Sequence, residues 1–206
     1  MFHGAFLNTF DLGIYHLING LAGHNRIVDA VMVFFAKDAL EIYAVLFVLA
    51  WFTLPKRDIQ NRHALVVAGF SGILALVVSV VISHIWFRPR PFVMLPTSSY
   101  TELISHNLDA SFPSDHTSGS FGFAAASWGK SQRWIRYSFT MIAILVMFAR
   151  VFVGVHYPTD VLAGLVVGIV SSRIVWKLSQ YLFPLTSVVA RVFRFGPAAT
   201  IPRHVE

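Results

Sequence analysis

ALVVAGFSGILALVVSVVISHIWF, residues 64–87, contains no Asp, Glu, Lys or Arg. A helix of that length, rising ~1.5 Å per residue, measures about 36 Å and crosses the ~30 Å hydrocarbon core of a bilayer with some tilt. Outward from this run, residues 134–155 and 161–183 are comparably apolar. Residues 42–54 are also apolar, and the pattern extends backwards, with interruptions, to Ile27. Residues 117–128, TSGSFGFAAASW, are short and rich in Gly, Ala and Ser. Small residues let helices approach closely, so this segment reads as a span buried inside a bundle. Charged residues make up 13% of the 206-residue chain, against about 25% in soluble domains. The expected fold is therefore all-α, a polytopic membrane helix bundle of about five transmembrane helices. It forms one domain over residues 1–206, with no repeats.

At the start of the chain Phe6, Leu7, Phe10, Ile14, Leu17, Ile18 and Leu21 fall on one helical face. The segment lacks a basic leader and a small-residue cleavage site, so residues 1–25 read as an amphipathic helix at the membrane surface, with a partial span as the alternative. Basic residues cluster in three places: Lys56, Arg57 and Arg62; Lys130, Arg133 and Arg136; and Arg173, Lys177, Arg191, Arg194 and Arg203. In a five-span arrangement all three lie on one side, which the positive-inside rule makes cytoplasmic. The absence of cysteine excludes disulfides, thiolate metal sites and a cysteine nucleophile. The net charge of +6 is spread thinly, without a basic run or a glycine-rich phosphate loop, which argues against nucleic acid as a partner. Nine histidines include no HExxH pair, and no carboxylates stand at ligand spacing, so no metal or cofactor is implied. His3, His16, His24 and His63 sit near helix ends and read as interfacial residues.

The unusual residues lie in the outward connections: RPRP at 88–91, PSDH at 113–116, and Arg150 with His156 and Asp160. His156 precedes Tyr157-Pro158, which places it in a loop, and Pro158 suits the first turn of the next helix. Asp160 then stands near that helix start and can reach back to one imidazole nitrogen, fixing the tautomer and leaving the other nitrogen free. Ser114 is a favoured cap for a helix carrying His116, and the free N–H groups after such a cap make an anion site. A capped helix with a surface histidine is the plainer account of Ser114, although it leaves the arginines unexplained.

These segments resemble the three-part signature of the type 2 phosphatidic acid phosphatase superfamily, Lys-x6-Arg-Pro, Pro-Ser-Gly-His and Ser-Arg-x5-His-x3-Asp. Arg90-Pro91, Pro113-Ser114-Asp115-His116 and Arg150-x5-His156-x3-Asp160 match it in order and spacing, within a core of residues 64–183. The resemblance implies that His156 attacks phosphorus to form a phosphohistidine, that Asp160 orients it, and that His116 protonates the leaving oxygen. Arg90 and Arg150 would clamp the phosphate with bidentate guanidinium forks, helped by Ser114 and the backbone at Asp115. Arg88 has two readings, contact with a second phosphate or snorkelling to headgroups.

Two positions depart from the signature. Ser83, followed by His84, stands where the family has lysine, and Asp115 stands where it has glycine. His84 and Lys37 are candidate replacements for the lysine, although an ion pair with Asp38 or Glu41 explains Lys37 better. The Asp115 carboxylate must point away from an anionic substrate or pair with an arginine. PSDH together with RPRPF and HYPTDVLAG resembles the bacterial undecaprenyl-diphosphatase branch linked to bacitracin resistance. That resemblance implies a polyprenyl pyrophosphate lipid as substrate, hydrolysed at the outer face of the cytoplasmic membrane. A phospholipid monoester such as phosphatidic acid or phosphatidylglycerophosphate is the runner-up, and a small transporter the reading from another class.

Overall fold

Asp58 accepts a hydrogen bond from Asn61 N at 3.1 Å and so starts a helix five residues before the apolar run. This helix, α4 (Ile59–Ile85), is the longest element of the computed structural model, which describes residues 8–128 and 130–193. Every described element is helical: α1 (Thr9–Asn19), α2 (Arg26–Lys37), α3 (Ala39–Thr53), α4, a short α5 (Pro91–Met94), α6 (Asp115–Ser127), α7 (Arg133–Phe152), α8 (Pro158–Lys177) and α9 (Ser179–Val192). Phe6, Leu7, His3, Arg194 and Arg203 lie outside the described residues.

Only α4, α7 and α8 are long and apolar enough to cross a bilayer among the described residues, so the expected five spans reduce to three by length. Local causes set where the expected apolar segments break. Asp38, at φ −99° and ψ 26°, separates α2 from α3, leaving α3 with 15 residues. Leu178 likewise ends the expected 161–183 span at Lys177, and α9 follows with Pro184 inside it. The small-residue helix α6 has 13 residues, about 20 Å at ~1.5 Å per residue, and is short because it is enclosed by protein.

The core is the stack of α4, α6 and α8, whose mutual packing is the densest in the molecule. Glycine makes this closeness possible. A Cβ at Gly122 would lie 2.7 Å from Ser71 O on α4, and one at Gly168 would lie 2.7 Å from Gly122 N. Arg62, expected among the headgroup-facing cations, is instead buried. It donates to Leu54 O at 2.9 Å, Pro55 O at 2.7 Å and Trp51 O at 3.2 Å, satisfying carbonyls freed at the end of α3. The end of α4, the start of α6, the end of α7 and the start of α8 meet at one end of the stack, and the motif residues gather there.

The N-terminal helix forms as expected, capped by the Asn8 side chain on Asp11 N at 2.7 Å. Its orientation carries information that periodicity did not. Phe10, Leu17 and Leu21 are exposed, whereas the protein-covered positions are Asp11, Tyr15 and Asn19. The helix turns Phe10, Leu17 and Leu21 outward and docks through Asp11, Tyr15 and Asn19, with Ile18 packed beside them.

Candidate active site

His156 lies in the short connection from α7 to α8 and is 1% exposed. Its Nδ1–H donates to the Ser111 carbonyl at 2.8 Å, which fixes the tautomer and leaves the lone pair on Nε2. Nε2 stands 3.2 Å from the Arg90 guanidinium and 3.1 Å from that of Arg150. Burial, then the charges of Arg150 and Arg90, hold the imidazole well below the usual histidine range. The ring is therefore neutral at ordinary pH, and its one unprotonated nitrogen faces two fixed cations.

Both arginines are held by more than the histidine. Arg90 donates to Val155 O at 3.0 Å and, through Nε, to Asp109 at 2.7 Å. Arg150 donates to Ala36 O at 2.8 Å, a carbonyl freed where α2 ends, and contacts His106 Nε2 at 3.2 Å. The Nε of Arg150 is buried with no acceptor among the described residues. These contacts fix each guanidinium plane before any anion arrives.

Asp160 does not reach His156 as expected: its carboxylate is 3.7 Å from Nδ1, beyond hydrogen-bond distance. The reason is local, because Asp160 sits in the first turn of α8 and accepts from Tyr157 N at 2.8 Å, closing a capping box. Its remaining acceptors take Ser111 Oγ–H and the Arg88 guanidinium, the latter at 2.7 Å. Ser111 thus touches His156 through its carbonyl and Asp160 through its hydroxyl. Sequence reasoning passed over it, since serine in a loop carries no signal of its own. Its place two residues before Pro113-Ser114 was the available hint.

Arg88 meets neither expectation. It is buried, neither reaching headgroups nor projecting toward a second phosphate, and it bridges Asp160 to Asp11 at 2.6 Å. Asp115 likewise neither points away nor pairs with an arginine. Its carboxylate accepts from His116 N at 2.7 Å and lies 2.9 Å from His116 Nδ1. One of the expected free amides after Ser114 is therefore occupied from within the chain. Ser114 is fully buried, accepts from Thr117 Oγ1 at 3.1 Å, and joins α6 to α8 through its N–H on Asp160 O at 3.0 Å. His116 lines a small cleft with Ala39, Tyr43, Leu76 and Gly119.

At the position of the missing lysine, Ser83 Oγ–H bonds back to Val80 O at 2.8 Å, and His84 Nδ1 lies 2.7 Å from the same carbonyl. Lys37 is exposed, and its expected ion pair with Asp38 or Glu41 is not formed.

A buried neutral imidazole aimed between two arginines, on a bundle of this topology, defines a phosphate-transfer membrane helix class, and the chain belongs to the PAP2 superfamily, whose profile matches residues 64–184. It is similar to the undecaprenyl-diphosphatase BcrC of Bacillus subtilis (strain 168), 36% identical over 180 residues that cover 87% of this chain and 90% of that protein. It is also similar to the bacitracin transport permease protein BcrC of Bacillus licheniformis, 30% identical over 179 residues, covering 85% of this chain and 84% of that one. Among solved structures, Aquifex aeolicus LpxE superposes with a TM-score of 0.69 at 21% identity, over 84% of this chain and 98% of that one. That likeness establishes a shared fold.

Proposed function

We propose that the protein hydrolyses undecaprenyl pyrophosphate to undecaprenyl phosphate and inorganic phosphate, recycling a cell-wall carrier lipid. The observation that carries this reading is His156 Nε2, unprotonated and 3.1–3.2 Å from two guanidinium groups. In the first step Nε2 attacks the terminal phosphorus, the bond to the bridging oxygen breaks, and His116 gives that oxygen a proton. In the second, water deprotonated by His116 attacks the phosphohistidine, and inorganic phosphate leaves with His156 restored. Arg90 and Arg150 stabilise the charge on the equatorial oxygens during both transfers. The similarity to the B. subtilis undecaprenyl-diphosphatase supports the choice of lipid. Lys56, Arg57, Lys130, Arg133 and Arg136 lie at the end of the bundle opposite His156, which supports an outward-facing site under the positive-inside rule.

Purified protein should release phosphate from undecaprenyl pyrophosphate in the presence of chelator, and His156→Ala should not. Equal rates on phosphatidic acid would defeat the choice of substrate, and full activity of His156→Ala would defeat the mechanism. The printed name of the B. licheniformis relative raises transport as a second reading. Bacitracin movement across reconstituted vesicles by protein devoid of phosphatase activity would establish it instead.

A further inference from the structure

Residues 153–157 carry His156 between α7 and α8, and α1 lies against them from outside the family-matched region. The buried positions of α1, Asp11, Tyr15 and Asn19, are four residues apart and form one stripe. All three grip the same segment of chain. Asn19 Nδ2 donates to Phe152 O at 2.8 Å and to Thr101 O at 2.7 Å. The Tyr15 hydroxyl donates to Gly154 O at 3.3 Å. Asp11 accepts from Thr159 N at 2.9 Å and from Thr159 Oγ1 at 2.7 Å. The approach is close: Gly154 has φ +90°, and a Cβ there would lie 3.3 Å from Asn19 Nδ2 and closer still to Thr101 O.

Asp11 also reaches past the loop. It accepts from Arg88 at 2.6 Å; Arg88 holds Asp160 at 2.7 Å; Asp160 takes the Ser111 hydroxyl; and the Ser111 carbonyl receives Nδ1–H of His156 at 2.8 Å. We propose that α1 is a splint for the reacting histidine and that Asp11 is a positioning residue acting through Arg88 and Asp160. This rests on the reading of His156 as nucleophile. An apolar stripe would dock a helix at lower cost, because a fully buried carboxylate is expensive unless its charge is matched. Two carboxylates around one guanidinium constrain its orientation from both sides. That constraint sets the angle at which Asp160 and Ser111 meet the imidazole.

The test compares Asp11→Asn, Arg88→Gln, their combination and His156→Ala with wild type, as full-length purified protein on undecaprenyl pyrophosphate. Asn keeps the size of Asp but turns an NH2 toward Arg88 or Thr159. A misplacement of ~1 Å costs up to about 100-fold, so kcat should fall on the order of 10- to 100-fold with KM within about threefold. The double variant should be no slower than the slower single one, because both act on one chain of bonds. A wild-type kcat for Asp11→Asn, a change confined to KM, or losses that multiply in the double variant would each overturn the splint. If Asp11→Asn does not fold, Thr159→Val removes one partner of Asp11 without burying a new charge. A lower kcat at unchanged KM then supports the proposal, and an unchanged kcat overturns it. An active wild type and dead His156→Ala beside an unaffected Asp11→Asn refutes the splint alone. An inactive wild type, or an active His156→Ala, refutes the nucleophile reading beneath it.

Discussion

Asp160→Asn tests how charge and geometry are divided behind His156. Phosphorylation at Nε2, with Nδ1 still protonated, puts positive charge on the ring, and the Asp160 carboxylate lies 3.7 Å from Nδ1. At an effective dielectric of ~20, a unit charge at that 3.7 Å separation is worth about 4–5 kcal/mol. Arg88, 2.7 Å from the other carboxylate oxygen, cancels part of it, leaving about 3 kcal/mol or a factor of about 100 in kcat. In catalytic triads whose aspartate selects the tautomer, the same substitution costs about 10⁴. Here the Ser111 carbonyl already holds Nδ1–H at 2.8 Å, so the tautomer should survive. The assay is single-turnover phosphate release with trapping of the phosphoenzyme, which should still form in Asp160→Asn, only about 100-fold more slowly. A loss as complete as in His156→Ala would show that the carboxylate, not Ser111, selects the tautomer. An unchanged rate would show that its charge is fully spent on Arg88. Either result refutes the division.

Removing a cation beside the imidazole should change the pH profile. Burial and the two guanidiniums depress His156, so activity is lost on the acid side only as pH falls through that lowered value. Arg90→Gln relieves part of the depression, and the acid limb of kcat/KM should move to higher pH; an unmoved or lower limb counts against the assignment. Gly168→Ala forces a methyl against Gly122 N and Ser118 O, each 2.7 Å from the added Cβ. It should destabilise by about 1–3 kcal/mol, read as a lower melting temperature in detergent, and an unchanged melt would mean that α6 and α8 separate freely. Arg62→Ala leaves the carbonyls of Trp51 and Leu54 without their guanidinium donor and Pro55 O with Asp58 N alone. Stability should drop while KM on the lipid stays as in wild type, and a KM change instead would place Arg62 in contact with substrate.

The parts of the site legible in the chain are those whose geometry is local. His156 lies just before α8 with Asp160 in its first turn, and Ser114 precedes α6 with His116 in its first turn, so spacing placed these residues near helix starts, although not their contacts. Arg90 and Arg150 were legible because an arginine at the end of an apolar run has few bland explanations. Ser111, Asp11 and the role of Arg88 were not, because their partners lie 45 to 148 residues away in sequence. α1 shows the difficulty in another form. Its periodicity was plain, yet lipid is as apolar as a leucine side chain, so an apolar face in a membrane protein does not say which side meets protein. Helix boundaries depart from the ends of the apolar runs for a related reason. Hydropathy reports where apolar residues accumulate, whereas Asp38 and Leu178 end helices through backbone turns.

The glycine contacts among α4, α6 and α8 bear on the fate of the lipid. Backbones this close leave no room for an isoprene unit between them, so on the proposed reading a polyprenyl tail lies outside the three-helix stack. A lipid of the proposed kind would then present its headgroup to His156 from outside the stack.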